Sequence, residues 1–278
     1  MPVLVVGASG AVGGAVVDGL LKRGVEVRAT SRAPENLSLP TQVEAFAADL
    51  NDPASFTEAL HSVDRVFLYA DIAEPEALLN AVAAARVGQV VLLSSSAVTY
   101  PSAADDFNGA RFLRVERAVE ESGLEYTFLR PGGFASNAAR WSWEIKAHSA
   151  VPLPYPEAVQ APIHERDIAD VAIVALTDDT LIGARPVLTG PARMTLREQV
   201  DTIGQVIGRH ISVVEQTEAE SSAMLAQHVP PEWVRQIIKD WRNAVGATPP
   251  LSDAYTRITG RPSRTFRDWV ADNADMFR

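Results

Sequence analysis

The stretch from Pro2 to Arg23, PVLVVGASGAVGGAVVDGLLKR, decides the fold. Pro2–Val6 is a short apolar run, as expected of a strand buried on both faces. Gly7–Gly10 reads as a turn. Val12–Arg23 then reads as a helix, with Val12, Val16, Val17, Leu20 and Leu21 on one side and Gly24 as its stop. Within this strand–turn–helix unit, Gly7-Ala8-Ser9-Gly10-Ala11-Val12-Gly13 has the spacing G-x-x-G-x-x-G. Gly7 permits a tight turn, Gly10 lets a pyrophosphate approach the backbone, and Gly13 allows close packing of helix on strand. A glycine-rich turn without a ligand would share the spacing. The strand before it and the helix after it favour a dinucleotide phosphate site, cradled by the backbone from Gly7 through Ser9, Ala11 and Val12 to Gly13.

The same alternation continues outward. Strands are expected at Val25–Thr30, Val43–Ala47, Arg65–Ala70, Gln89–Ser94 and Tyr126–Arg130, with helices at Pro53–His61, Glu74–Arg86 and Gly109–Ser122. Strands separated by helices of this length predict an α/β fold, a doubly wound parallel sheet of Rossmann type. The pattern changes after Gly133, where Pro152, Pro154, Pro156 and Pro162 cluster. Asp167–Leu176 is helical again, and Pro186–Thr189 is expected to rejoin the sheet. The reading is therefore a cofactor domain over 1–150, completed by 163–190, and a small α+β lobe over 191–278 built around Trp233, Trp241, Phe266, Trp269 and Phe277.

The end of the second strand selects the cofactor. An NAD-specific site places a carboxylate there for the ribose 2′-hydroxyl. This chain has Thr30-Ser31-Arg32, with no acid and with a guanidinium that suits a 2′-phosphate. NADP(H) is therefore expected, with Ser31 and Arg32 on the phosphate, although a solvated surface arginine would look the same. Asp49 and Leu50, just after the third strand, lie where such folds frame the adenine. Arg130-Pro131-Gly132-Gly133-Phe134 follows a strand at the carboxyl edge where such sheets bind ligands, and its two glycines would let a flat ring approach.

Composition narrows the classes. The formal net charge of −10 argues against nucleic-acid or anionic-membrane partners. The chain has no cysteine, which removes disulfides, thiolate catalysis and cysteine-held metals. Its histidines show no ligand spacing, so no metal is expected. No apolar run is long enough to span a membrane, and a cytoplasmic protein acting on a small molecule is expected. The sequence leaves monomer and homodimer open.

The glycine loop, Arg32, Asp49, the segment Glu116–Asn137 (ERAVEESGLEYTFLRPGGFASN), His164–Ala172 (HERDIADVA), Leu188–Gly190 (LTG) and Ile258–Trp269 (ITGRPSRTFRDW) together resemble NmrA-like, atypical short-chain dehydrogenase/reductases. The likeness spans nearly the whole chain. It implies NADP(H), Pro131–Phe134 beside the nicotinamide, and a substrate cleft between the Rossmann domain and the small lobe. Members of the family include quinone and enone reductases, imine-type reductases and non-catalytic cofactor sensors.

One superfamily feature is missing. Most members use Tyr-x-x-x-Lys to exchange a proton with a carbonyl oxygen. Four residues after Tyr69, Tyr100, Tyr126, Tyr155 and Tyr255 come Ala73, Ala104, Arg130, Val159 and Thr259, and the only lysines are Lys22, Lys146 and Lys239. The lysine that isoflavone-reductase-like members keep falls at Phe112. Ser95, Tyr155 and His164 are the remaining candidate donors, each with an equally plain structural role. The expected function is NADPH-dependent reduction of a small conjugated or cyclic compound (quinone, enone or imine), with Phe134, Trp141 and Trp143 lining the substrate. The alternative is a non-catalytic NADP(H) sensor.

Overall fold

In the computed structural model, which describes residues 2–278, Val3–Val6 forms β1 and is buried along its length. The chain continues through α1 (Ala11–Lys22), β2 (Val27–Ser31), β3 (Glu44–Ala47), α2 (Thr57–Leu60), β4 (Arg65–Tyr69), α3 (Pro75–Ala84), β5 (Gln89–Leu93), α4 (Phe107–Glu121) and β6 (Glu125–Pro131). After α5 (Ser142–His148), β7 (Ala150–Leu153) and β8 (Val159–Gln160) come α6 (Glu165–Thr177) and β9 (Val187–Leu188). The remainder holds β10 (Met194–Thr195), α7 (Leu196–Ile207), β11 (Ser212–Glu215), α8 (Glu218–Leu225), α9 (Pro231–Ala244), α10 (Ala254–Thr259) and α11 (Phe266–Asp272).

Seven strands form one sheet in the order β3-β2-β1-β4-β5-β6-β9, every pair parallel. The expected doubly wound α/β sheet is therefore present. The strand order reverses between β1 and β4, so the carboxyl end of β1 lies at the point where such sheets receive ligands. One core joins Leu4, Val66, Leu68, Val90, Leu92 and Phe128 of the strands to Leu78, Leu79, Val115 and Val119 of α3 and α4. The other side is covered by α1 and α6, which lie against each other.

The chain divides into two compact units, and their boundaries interleave. One comprises the residues up to Pro131 with Glu165–Leu188 and Ala254–Arg261; the other comprises Gly132–His164, Thr189–Asp253 and Pro262–Arg278. The sequence reading kept 132–150 with the first domain and 254–261 with the lobe, whereas the chain changes unit at Pro131–Gly132 and returns briefly at α10. The return is anchored in the first unit. Tyr255 Oη donates to Asp170 Oδ2 at 3.0 Å, and the Arg261 guanidinium lies 2.9 Å from the same oxygen. This ties the HERDIADVA segment to the ITGR segment. The helix expected over Pro53–His61 is a 3₁₀ turn at Pro53–Phe56 leading into α2.

In the second unit β7 pairs in parallel with β11 and β8 antiparallel with β10. Three helices begin with capping boxes, Thr195/Glu198, Thr217/Glu220 and Thr265/Asp268, so local sequence fixes where each starts. The core holds Trp141, Ile145, Leu153, Val200, Trp241, Phe266, Trp269 and Phe277. Trp233 is only half-buried.

One polar cluster is buried in the first unit. Glu116 on α4 is 2 % exposed and accepts a two-point hydrogen bond from Arg130 on β6, at 3.0 Å from Nε and 2.6 Å from Nη2. Ser94, just past β5, donates to the same carboxylate at 2.6 Å. The cluster pins the carboxyl end of β6. Removing one partner of such a pair leaves an uncompensated buried charge. We expect Glu116→Ala to lower unfolding stability by about 3–5 kcal/mol, measured by urea titration. A loss under about 1 kcal/mol would show that the pair does not hold this end of the strand.

Candidate cofactor and substrate site

The glycine loop lies at the carboxyl end of β1. Gly7 has φ +80°, a conformation that side-chain-bearing residues seldom adopt, and a Cβ there would lie 2.9 Å from the Tyr69 ring. A Cβ at Gly13 would lie 2.2 Å from the Gly7 carbonyl oxygen. At Gly10 the situation differs. Its φ of −78° and ψ of 160° suit any residue, and a Cβ would meet only the Gly7 oxygen, at 3.3 Å. Of the three glycines Gly10 is thus the least constrained by the fold of the loop itself. It is also the N-cap of α1, which has no side-chain cap and no acid in its first turn. The amides at the head of α1 are left to an external acceptor, and the dipole end favours an anion. A groove of about 330 Å³, lined in part by Ser9, Gly14, Asp18, Asn36 and Pro40, runs beside the loop.

Four further residues expected from the sequence sit on this edge. Ser31 ends β2, and its Oγ accepts from the Ala33 amide at 3.1 Å. Arg32 is exposed, and no carboxylate among the described residues pairs with it. The Asp49 carboxylate accepts from the Asn51 amide at 2.9 Å, its own amide donates to Ser55 Oγ at 3.0 Å, and Leu50 beside it is buried. Tyr69, at the end of β4, was not selected from sequence. Burial first, then Asp71 and Asp49, push its phenol up, while Arg32 pulls it down. Its ring walls Gly7 at the same carboxyl edge of the sheet at which β2 and β3 end.

At Pro131–Phe134 the chain leaves the first unit. Pro131 is buried and Gly133 exposed. In the second unit the Ile163 amide donates to the Gly133 oxygen at 2.9 Å, and the Ala135 amide donates to the Ile163 oxygen at 2.8 Å. Phe134 is thus held on both sides, half-buried. A Cβ on Gly133 would meet only Asn137 Nδ2, at 4.0 Å, so this face of the loop is open to a flat ring.

Two of the three candidate donors face carboxylates, while Ser95 is used only through its oxygen and keeps its hydroxyl hydrogen. Ser95 Oγ accepts from the Ala97 amide at 3.2 Å, capping a short turn. Tyr155 Oη donates to Glu218 and accepts from Arg242 Nε at 3.2 Å. His164 is 4 % exposed, with Nε2 3.4 Å from Asp272 Oδ2 at the carboxyl end of α11. Ser95 belongs to the first unit and the other two to the second. Of the expected substrate-lining indoles, Trp141 is a core residue instead, 6 % exposed among Ile145 and its neighbours, while Trp143 is 64 % exposed with its ring edge-on to His148. Their spacing of two along the chain turns them to different sides.

Among the described residues there is no group of three or more acidic or histidine side chains able to hold a metal, and no helix is long and apolar enough to cross a membrane. Residues 7–179 match the NAD(P)H-binding family. The chain belongs to that family. It is 38% identical, over 99% of both chains, to the (4-alkanoyl-5-oxo-2,5-dihydrofuran-3-yl)methyl phosphate reductase of Streptomyces griseus. Among solved structures, an NADPH-dependent quinone oxidoreductase from Escherichia coli superimposes with a TM-score of 0.83 at 22% identity, covering 98% of this chain and 99% of that one. NmrA, a negative transcriptional regulator solved with NADP, superimposes with a TM-score of 0.76 at 15% identity, covering 99% and 95%. The resemblance to NmrA-like short-chain dehydrogenase/reductases is borne out, and the chain is an oxidoreductase of the NAD(P)H-binding family.

The loop geometry separates two effects of substitution. Gly10→Val should leave the melting temperature within a few degrees of the parent, the Gly7 oxygen yielding by a few tenths of an ångström, while NADPH affinity falls at least about 100-fold. Gly13→Ala should lower stability by about 1–3 kcal/mol by overpacking. Calorimetric titration and thermal unfolding of both variants decide the matter. Unchanged NADPH affinity in Gly10→Val would remove the loop as the phosphate site.

Proposed function

We propose that this protein uses NADPH to reduce a carbon–carbon double bond conjugated to carbonyl groups in a small cyclic, phosphorylated substrate. The observation that carries this reading is the absence of any Tyr-x-x-x-Lys pair from a chain whose cofactor loops are otherwise complete. Hydride delivered to an isolated ketone makes an alkoxide, which needs a strong donor at once. Hydride delivered to a carbon conjugated with carbonyls makes an enolate, whose charge is already spread over oxygen. The name of the Streptomyces griseus relative describes such an acceptor, a ring double bond that bears both a ring carbonyl and an alkanoyl group.

Within this reading the Gly7–Gly13 loop and the head of α1 hold the pyrophosphate, Ser31 and Arg32 hold the 2′-phosphate, and Asp49 and Leu50 frame the adenine. Pro131–Phe134 supports the nicotinamide, which supplies the hydride when bound. The protein orients the ring and excludes water. The Glu116–Arg130 pair acts on the chemistry by fixing the strand end from which that loop departs. Phe134 lines the substrate side. The proton that completes the reduced bond can come from solvent, because a doubly stabilised enolate survives long enough to collect it.

Two measurements test this account. Arg32→Ala should weaken NADPH binding by about 10–100-fold, the value of a charge-assisted contact, with little effect on NADH. Equal affinity of the unaltered protein for both cofactors would contradict the assignment. Both lysines of the second unit are exposed. Lys146→Ala and Lys239→Ala should keep most turnover, and conjugated cyclic substrates should be reduced far faster than unactivated ketones. A loss of about 10²–10⁴-fold in either lysine variant, or brisk reduction of simple ketones, would reveal a proton donor absent from this scheme.

A further inference from the structure

Arg140 lies seven residues after Gly133, in the 3₁₀ turn Ala135–Trp141 that continues the nicotinamide loop. Its Nε donates to the Asn137 carbonyl oxygen at 2.7 Å, and its guanidinium carbon sits 5.6 Å from the centre of the Trp241 ring on α9. These contacts hold the group in place without neutralising it. The Nε–H is engaged, while the four N–H bonds of the two terminal nitrogens have no acceptor among the described residues. The guanidinium remains reachable by solvent, yet desolvation alone pushes it down to about 10, with no nearby carboxylate to offset the loss. Arg197 and Arg242, hydrogen-bonded first to Glu157 and to Glu218, are pushed up. In a chain where acids outnumber bases by 35 to 25, leaving a solvent-reachable, oriented cation without a carboxylate keeps its planar fork for another anion.

Resting on the reading of the substrate above, we propose that Arg140, braced by Asn137 and Trp241, binds the phosphate monoester of the substrate and is the residue that selects phosphorylated over unphosphorylated rings. Asn137 links the two functions locally. Its backbone oxygen orients Arg140, and its side chain borders the open face of Gly133. A phosphate held by two parallel N–H···O contacts fixes both the position and the rotation of the group it carries. That places the double bond relative to the loop without any contact to the reacting carbons. The stacking on Trp241 also accounts for arginine over lysine, since an ammonium would neither lie flat on the indole nor present a fork.

The test separates binding from turnover. With NADP⁺ in place, so that no hydride can be delivered, (4-alkanoyl-5-oxo-2,5-dihydrofuran-3-yl)methyl phosphate and the corresponding alcohol are titrated by calorimetry into the unaltered protein, Arg140→Gln and Arg140→Lys. The phosphate should bind about 100-fold more tightly than the alcohol to the unaltered protein, as expected of a pair of charge-assisted hydrogen bonds. Arg140→Gln should reduce that ratio to within about threefold of unity, and Arg140→Lys should keep only part of it. A ratio unchanged in Arg140→Gln, or no preference in the unaltered protein, or no binding of the phosphate below millimolar concentration would overturn the proposal. Turnover with NADPH is then followed separately. Arg140-dependent binding without oxidation of NADPH would leave the anion site standing and contradict the double-bond reading. Turnover of both ring compounds at equal efficiency would do the reverse.

Discussion

The strand-to-helix turn at the head of the chain closes only because Gly13 carries no side chain. A Cβ there would sit 2.2 Å from the Gly7 carbonyl oxygen, well inside contact distance. That single close approach sets the first turn of α1 against the end of β1, at the point where strand order reverses. The open amides at the head of α1 then face outward with the helix dipole behind them. Tyr69, Arg32 and Asp49 are brought to the same edge by β4, β2 and the turn after β3. Without the approach of Gly13 to Gly7, the amides at the head of α1 would not meet the edge to which the strands bring those side chains.

The carboxyl end of β6 is set by charge instead of by close packing. Glu116, Arg130 and Ser94 form a buried triad that ties α4, β6 and the end of β5 together just before the chain leaves the first unit. Beyond it, the Pro131–Phe134 loop is held in the second unit by two main-chain hydrogen bonds to Ile163. Each of these segments is tied down by hydrogen bonds within its own unit. Tyr155 is committed to an ion pair, His164 lies against Asp272, and Ser95 caps a turn through its oxygen, while Arg32 in the first unit and Arg140 in the second keep free N–H groups. Such an arrangement suits a reaction in which the acceptor itself carries the developing charge and the protein supplies orientation.

The first half of the chain was legible because its signals are local. A fully apolar run, three glycines at fixed spacing and a periodic helix are all contained within residues 2–23. The capping boxes of α7, α8 and α11 are equally local, and the helices begin where those residues place them. What stayed hidden depends on partners distant in sequence. The six residues of α10 carry too short a pattern to be recognised, and their attachment rests on Tyr255 and Arg261 meeting Asp170, 85 and 91 positions earlier. Tyr69 reads as the polar end of an ordinary strand until the fold lays its ring over Gly7. Trp141 and Trp143 were taken together as lining residues because both are large and near the loop, but the turn Ala135–Trp141 buries the first and exposes the second. Arg140 gave no signal at all, since what distinguishes it is how the Asn137 carbonyl and the Trp241 ring hold it close to Gly133 in three dimensions.

The central claim is that hydride goes to carbon in a conjugated double bond and that the second hydrogen comes from water. Tracing isotope from NADPH deuterated at the transferred position into the reduced ring compound tests it most directly. Deuterium is expected on the ring carbon that bears the phosphorylated methylene, with solvent hydrogen on the neighbouring carbon that bears the alkanoyl group. Deuterium on a newly formed carbinol carbon would mean that a carbonyl is the acceptor, and the account of a site without a resident acid would then be wrong.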